Sequence, residues 1–354
     1  MMQITKAEVT PVELILREPV SIAGSSQIKT VTAIFIRLET QDGRNAWGCG
    51  IAHPELNKQQ PADVLAACND AADMVPDLHP IDIEYSLSKI APILGELPAA
   101  FCAFDLAFHD LLGMAAGMPL YRLLGGFRRK IQTSATVPLG SLEESIEIAK
   151  LRASNGFRML KIKGGADPEE DVNRILAIHR QMPELTLRLD ADGGYTVQES
   201  LDVARRLGKR IEMLEQPTPA DDLTGLLQVS RQSPVPTLAD QSITGPRSAL
   251  ELAAKNYTGG FSIKLGACGG LTCGRQMSGI ARAVGLVMMV SCLIEPALLI
   301  AAGLSMALSS PTVKYADLDG NLELVNDPTV PGFRLDEGWM IATDIPGLGC
   351  TVDL

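Results

Sequence analysis

The chain has 354 residues, with 31 Lys and Arg against 42 Asp and Glu and a formal net charge of −11 at pH 7. Apolar residues make up 46% and charged residues 21%, which excludes a disordered or fibrous chain and suits two domains or one large barrel with an appendage. The acid excess argues against a nucleic-acid partner, which selects a basic stripe.

The opening run MMQITKAEVTPVELIL lacks the basic start and long apolar stretch of a signal peptide. ITKAEVTPVELIL and KTVTAIFIRLET predict strands of an antiparallel sheet, with a turn at Gln41-Asp42-Gly43 before the next strand. Residues 61–124 read as largely helical and end at the breaker Gly125-Gly126. Residues 1–125 therefore predict an α+β domain that precedes the rest.

From Ile131 onward the pattern changes. The β-rich runs IQTSATV, RMLKIKG, LTLRLDAD, IEMLEQP, VPTLADQ, GFSIKLG, LVMMVSC and VKYADLD alternate with helical segments such as EEDVNRILAIHRQM and TVQESLDVARRLGKR. One polar residue stands near the end of seven of these strands: Lys163, Asp190, Glu215, Asp240, Lys264, Ser291 and Asp317. Their intervals are 27, 25, 25, 24, 27 and 26 residues, the length of one strand, one helix and two short loops. That rhythm predicts a (β/α)-barrel over residues 126–325 with its site at the C-terminal strand ends. The alternative, a doubly wound open sheet, would gather residues at one switch point rather than from seven successive strands. Val284 to Leu308 is apolar apart from Glu295, but Glu295-Pro296 cuts it into runs of 11 and 12 residues, each too short to span a bilayer. It reads as a buried strand followed by a helix with Pro296 in its first turn, in a soluble protein. The Gly- and Pro-rich segment 326–354 is expected to return to the first domain.

Cys49, Cys68, Cys102, Cys268, Cys273, Cys292 and Cys350 are odd in number and form no CxxC pair, and there are four His. A disulfide scaffold or zinc site is disfavoured, and a reducing, cytoplasmic setting is expected. Asp190, Glu215 and Asp240 come from three consecutive strands at one expected depth. Three close carboxylates repel unless a cation neutralises them, and oxygen-only ligands suit Mg²⁺. Taken singly, each acid could equally be a helix N-cap or a surface ion-pair partner. Lys161 and Lys163 alternate with apolar neighbours and so share the inward face, and Lys264 faces them from beyond the carboxylates. The lysines either neutralise the acids or act as bases, with positive charge from Mg²⁺ and from Lys161 beside Lys163 lowering a lysine pKa toward neutrality. In the second case a metal holds a substrate carboxylate, one lysine takes the α-proton to give an enolate, and the lysine on the opposite face returns it with inversion.

The runs LKIKGG, LRLDADGGYT, EQP, LADQS, IKLGACGGL and SCLIEP, with FDLAFHDLLGMAAGMPLYRLLGG before them, resemble the muconate lactonizing enzyme subgroup of the enolase superfamily. The resemblance covers nearly the whole chain. It implies a capping α+β domain on a (β/α)7β barrel and one Mg²⁺ per subunit held by Asp190, Glu215 and Asp240. It also implies an acid/base pair of Lys163 and Lys264, with Lys161 as an electrostatic helper. Asp317-Leu318-Asp319 resembles the Asp-x-Asp with which the dipeptide epimerases of this superfamily hold a substrate ammonium group. Ser291 is a further expected substrate contact.

The resemblance thus implies epimerisation of the C-terminal residue of a small-molecule dipeptide; from charge and hydropathy no nucleic-acid or membrane partner is expected, and a homo-oligomer is the expected default. N-acylamino acid racemase, o-succinylbenzoate synthase and cycloisomerase chemistry use the same lysines and metal. A Schiff-base aldolase and a non-catalytic binding barrel are the more distant alternatives. Gln241 and Asp192-Gly193 depart from the Glu and Asn-Gln frequent in relatives. The stretch between Glu18 and Gln27 has no arginine, although relatives acting on L-Ala-D/L-Glu place one there. A neutral or hydrophobic second residue is therefore expected, with Ile22, Ala23 and Gly24 lining its pocket, unless Arg17 or Lys29 serves. His53, His79, His109 and His179 lie outside the constellation, Cys268 and Cys292 read as small apolar filler, and Glu295 has no assigned role.

Overall fold

The structure, a computed structural model, describes residues 3–21 and 27–354. Ile22, Ala23 and Gly24, expected at the substrate pocket, lie outside the described residues.

Three antiparallel strands open the chain: β1 (Ile4–Val20), β2 (Ile28–Thr40) and β3 (Asn45–Ala52). The β2–β3 turn closes as the Gly43 N–H donates to the Thr40 carbonyl at 2.9 Å, with Gly43 at φ +83°, a conformation glycine adopts without Cβ strain. Helices α1 (Pro61–Ala72), α2 (Ile83–Leu94), α3 (Pro98–Ala116) and α4 (Leu120–Leu123) follow. α3 lies directly on the sheet: a Cβ added at Gly48 or Gly50 would fall 2.0 Å from the Ala103 or Ala99 carbonyl oxygen. By length and composition α3 could cross a membrane, but 72% of its apolar window is buried inside the protein. It is the core helix that joins the sheet to the barrel.

The expected run IQTSATV divides into two strands. β4 (Lys130–Gln132) pairs with a C-terminal hairpin, whereas β5 (Ala135–Val137) enters the barrel. The chain changes partner at Thr133, whose N–H donates to Gly338, while the next N–H, of Ser134, donates to Ala316. The barrel continues through α5 (Leu142–Ser154), β6 (Met159–Lys163), α6 (Pro168–Gln181), β7 (Thr186–Asp190), α7 (Val197–Leu207), β8 (Leu214–Glu215), α8 (Leu223–Gln232) and β9 (Thr237–Ala239). It ends with α9 (Pro246–Ala254), β10 (Gly260–Lys264), α10 (Leu265–Cys268), α11 (Leu271–Ala283), β11 (Val287–Ser291), α12 (Ala297–Ser309) and β12 (Val313–Asp317). β5 to β12 form one parallel sheet in sequential order, closed by a parallel Thr133–Ala316 bridge. This is the expected (β/α)7β barrel, not an open sheet.

The helices begin where side chains cap them. Ser141 with Glu144 and Thr196 with Glu199 form capping boxes, and the Asp167 carboxylate accepts from the N–H groups of Glu169 and Glu170. Pro296 is the N-cap of α12 rather than a first-turn residue, and the Ala297 N–H donates to Asp327 Oδ2 at 2.7 Å. Inside the barrel, Met213, Leu238, Met289 and Tyr315 pack as a small apolar plug below the strand ends, a filled core rather than a pore.

The C-terminal strands are β13 (Thr329–Val330), β14 (Phe333–Asp336), β15 (Trp339–Ala342) and β16 (Thr351–Val352). β15 pairs with β4 at the entry to the barrel. The Leu348 N–H donates to Asp110 of α3 at 2.7 Å, and the Leu120 N–H donates to the Gly347 carbonyl at 2.8 Å.

Candidate active site

Alternation along β6 turns Lys161 and Lys163 inward and leaves Leu160 and Ile162 in the shell core. β7, β8 and β10 end on Asp190, Glu215 and Lys264, and Asp240 follows β9 directly. Lys163, Asp190 and Glu215 are direct register partners, but Glu215 pairs with Leu238, so Asp240 stands two residues farther along. The three carboxylates are therefore not at one register level as expected. Strand tilt and stagger in a barrel require such an offset.

The lysines sit among these acids. Lys163 Nζ lies 2.9 Å from Asp190 Oδ2 and 2.9 Å from Asp192 Oδ2, and Lys264 contacts Asp240. Lys161 lies 3.4 Å from Asp190 Oδ2 and contacts Asp317. Burial alone would lower each lysine pKa, but the facing carboxylates raise all three above the ordinary lysine value. Among the protein's own groups the acids outweigh the neighbouring lysine; the lowering expected for a lysine depends on the charge of Mg²⁺ as well as on Lys161. Against burial, which raises it, Lys163, Lys161 and Lys264 hold Asp190 well below the usual carboxylate range. Glu215 goes the other way, pushed up to about 8 by burial and by Asp190 beside it.

Among the described residues, no three His, Cys, Asp or Glu side chains converge into a closed ligand set as they stand. Two observations nevertheless fit a hard cation. Glu215 Oε1 is buried without a hydrogen-bond partner, and the row Asp190, Glu215, Asp240 supplies only oxygen ligands. Asp190, Glu215 and Asp240 would hold such an ion through their carboxylate oxygens.

Asp317 and Asp319 both turn toward β5. Ser134 Oγ donates to Asp317 Oδ1 at 2.6 Å and the Thr136 N–H donates to Asp319 Oδ2 at 2.6 Å. Their roles differ more than strand alternation suggests. Asp317 is buried and taken by Lys161; despite burial, that lysine holds its pKa below the ordinary value. Asp319 is half-buried and, through burial and the neighbouring Asp317, is raised above it. Cys292 Sγ lies 3.8 Å from Asp319 Oδ1, so this thiol borders the acid pair. Ser291 is buried, with its hydroxyl 2.9 Å from Ser262 Oγ, inside the barrel wall.

Several supporting residues carry no legible motif. Gln216, at φ +34°, accepts from the N–H groups of Asp240 and Ser242 on Oε1 and donates to Ser242 Oγ and the Thr218 carbonyl through Nε2. It thereby locks the loop that presents Asp240. Gln241 Nε2 donates to Asp192 Oδ1 at 3.0 Å, steadying the acid that faces Lys163. Arg188, two residues below Asp190, donates to Ser134 Oγ at 3.1 Å and so supports Asp317 from beneath. Glu295 does not cap α12, a task that falls to Asp327. It is buried, accepts from the Leu293 N–H at 3.1 Å, and is pushed well above the carboxylate range by burial.

An antiparallel cap, a closed (β/α)7β barrel and a mouth lined by alternating lysines and carboxylates define a capped-barrel enzyme class. Residues 4–125 match the family model of the mandelate racemase/muconate lactonizing enzyme N-terminal domain, and residues 144–354 match that of the enolase C-terminal domain-like fold. The chain belongs to this mandelate racemase/muconate lactonizing enzyme family of the enolase superfamily. It is 33% identical to the L-Lys-D/L-Arg epimerase of Desulforapulum autotrophicum, over 98% of this chain and 99% of that one. The substrate-liganded L-Ala-D/L-Glu epimerase of Bacillus subtilis superposes with a TM-score of 0.95 at 28% identity, covering 99% of this chain and 100% of that chain. The dipeptide epimerase of Enterococcus faecalis complexed with Mg and L-Leu-L-Tyr gives 0.94 at 29% identity, with 99% of each chain covered.

Proposed function

We propose that the protein is an Mg²⁺-dependent dipeptide epimerase that inverts the α-carbon of the C-terminal residue by two-base proton transfer. The observation that carries this reading is one continuous row: Lys163 against Asp190, Glu215, then Asp240 against Lys264, with the Asp317/Asp319 pair joined to it through Lys161. Asp190, Glu215 and Asp240 would hold the Mg²⁺. When bound, the ion supplies positive charge beside the substrate carboxylate, which acidifies the neighbouring α-carbon. Lys163 and Lys264 stand on opposite sides of that position. The lysine in its neutral amine form accepts the α-proton on Nζ, the other, as ammonium, donates a proton to the opposite face, and the configuration inverts. Lys161 adds fixed positive charge where negative charge develops. Asp319, the more open of the acid pair, receives the substrate ammonium, and Asp317 holds Lys161 in place.

Relatives include L-Lys-D/L-Arg, L-Ala-D/L-Glu and hydrophobic dipeptide epimerases, so the family takes cationic, acidic and hydrophobic dipeptides. The stretch between Glu18 and Gln27 has no arginine, which favours a non-acidic second residue. We assign residues 1–125 to the cap, 126–325 to the barrel and 326–354 to the returning segment. Seven free cysteines favour a reducing, cytoplasmic setting, and a symmetric homo-oligomer is the expected assembly.

The test is α-deuterium exchange in D₂O with Mg²⁺, using L,L-dipeptides beside N-succinyl amino acids. Exchange and epimerisation are expected at the second residue of non-acidic dipeptides, falling by about 10²- to 10⁴-fold in Lys163→Ala and in Lys264→Ala. Asp319→Asn is expected to raise KM for dipeptides and leave exchange into an N-acylated substrate unchanged. Exchange confined to N-acylated substrates, or absent altogether, would overturn the reading.

A further inference from the structure

The opposite end of the barrel, below the apolar plug, opens into a cavity of about 250 Å³. Four cationic side chains reach it, Arg128, Lys130, Arg188 and Lys314, against the single carboxylate of Glu212. That balance is the reverse of the whole chain, which carries 42 acids against 31 bases.

Arg188 is the anchor. It is 1% exposed, and its guanidinium lies between the barrel wall and the cavity. Nε donates to Glu212 Oε2 at 2.8 Å, and one terminal nitrogen donates to Ser134 Oγ at 3.1 Å and to the Ala316 carbonyl at 2.8 Å. Among the described residues the other terminal nitrogen has only the Met159 sulfur, at 3.8 Å. A guanidinium nitrogen carries two donors that seek oxygen, and thioether sulfur is a weak acceptor. The fork is therefore half satisfied, and its open half lies against Met159, which lines the cavity together with Arg188.

The remaining cations have no carboxylate partner among the described residues. Lys130 Nζ stands over the Trp339 ring at 4.3 Å, and the Arg128 guanidinium lies over Phe127 at 4.8 Å with a 3.5 Å bond to the Ser310 carbonyl. Lys314 is exposed at the start of β12. Tyr315, whose ring lies 5.3 Å from the Arg188 guanidinium, and Trp339 form the apolar walls. Like charges gathered within a Debye length repel unless an anion joins them. A buried, partly free guanidinium flanked by flexible ammonium groups is the donor set that recognises a doubly charged oxyanion.

We propose that this cavity is a binding site for a small dianion of phosphate or dicarboxylate chemistry, separate from the reaction site at the other end of the barrel. Arg188 provides the directional donors and Lys130 and Lys314 the flanking charge. Both lysines are exposed and lie outside the catalytic row, so replacing them leaves the fold and the reaction site untouched. The Mg²⁺-loaded full chain is titrated calorimetrically with inorganic phosphate and, separately, with succinate. The result expected is saturable binding of one equivalent of at least one dianion, weakened about tenfold or more in Lys130→Ala/Lys314→Ala with the unliganded melting temperature unchanged. Tighter binding of phosphate than succinate assigns a phosphate-bearing ligand, and the reverse order a dicarboxylate. Absence of saturable binding of either ion, or equal affinity in the wild type and the double variant, would overturn the proposal.

Discussion

Glu215 Oε1 is buried without a partner, and burial together with Asp190 lifts the Glu215 carboxyl to about 8. A carboxyl with that pKa holds its proton at neutral pH, whereas a carboxylate bound to a cation has lost it. Binding of Mg²⁺ at pH 7 is therefore expected to release about one proton, and affinity to fall by roughly tenfold per pH unit below pH 8, levelling above it. Calorimetric titration with Mg²⁺ at pH 6, 7 and 8, in two buffers of different ionisation enthalpy, measures both quantities. A pH-independent affinity across that range would contradict the assignment. Residues such as Glu215 and Lys264 were legible in the sequence because each stands at the same phase of a repeat of 24 to 27 residues. Arg188 and Gln216 were not. An inward arginine one layer down alternates like any strand residue, and the four hydrogen bonds of Gln216 depend on where the next loop returns. Asp317 stands at the same phase and was legible as a site acid, but its capture by Lys161, two strands away beyond the barrel closure, was not.

At the scale of elements, the loop that follows Lys264 is fixed by the other domain. The Asp105 carboxylate on α3 accepts from the N–H groups of Leu271 at 2.5 Å and Thr272 at 3.3 Å, and from Thr272 Oγ1 at 2.5 Å. It is an N-cap for α11 supplied from outside that helix, and His109 one turn along α3 borders it at 3.4 Å. Glycines at 269 and 270 take φ of +96° and +94° to bring the chain there. Asp105→Ala removes the cap and is expected to cost about 1–2 kcal/mol, read as a lower urea midpoint. Because residues 265–270 run directly from Lys264 to the capped turn, exchange assigned to Lys264 should slow more than exchange assigned to Lys163. Equal slowing from both faces would mean that Asp105 supports the fold alone. The sequence places α3 within a largely helical stretch but does not reveal this junction, since α3 reads as an apolar core helix with two acids in it. The split of IQTSATV into β4 and β5 was hidden for a related reason. Its two halves have the same β propensity, and only the return of β15 gives the first half a different partner.

Across the whole molecule, cap, barrel and returning segment share one apolar core. The same cluster contains Phe35 and Cys49 of the sheet, Phe261 and Leu299 of the barrel, and Leu348 and Cys350 of the final segment. Asp110 on α3 ties the cap to the returning segment, accepting from the Trp47 N–H at 2.9 Å and the Leu348 N–H at 2.7 Å. Burial raises its carboxyl to about 7 although those two bonds pull it down. No part can withdraw without exposing that core, and separating cap from returning segment also strands Asp110, so unfolding is expected to be a single transition. The chain carries two tryptophans, Trp47 in the cap and Trp339 in the C-terminal hairpin, which report the two ends of the molecule separately. Urea melts followed by fluorescence in Trp339→Phe and in Trp47→Phe should superpose after each is normalised to its own midpoint. Mg²⁺ at about a hundred times its Kd should add about 2.7 kcal/mol in each variant, because an ion held at the barrel mouth then stabilises a cap it does not touch. A Trp47 transition that precedes the Trp339 transition, or that fails to move with Mg²⁺, would show the cap to be an independent folding unit.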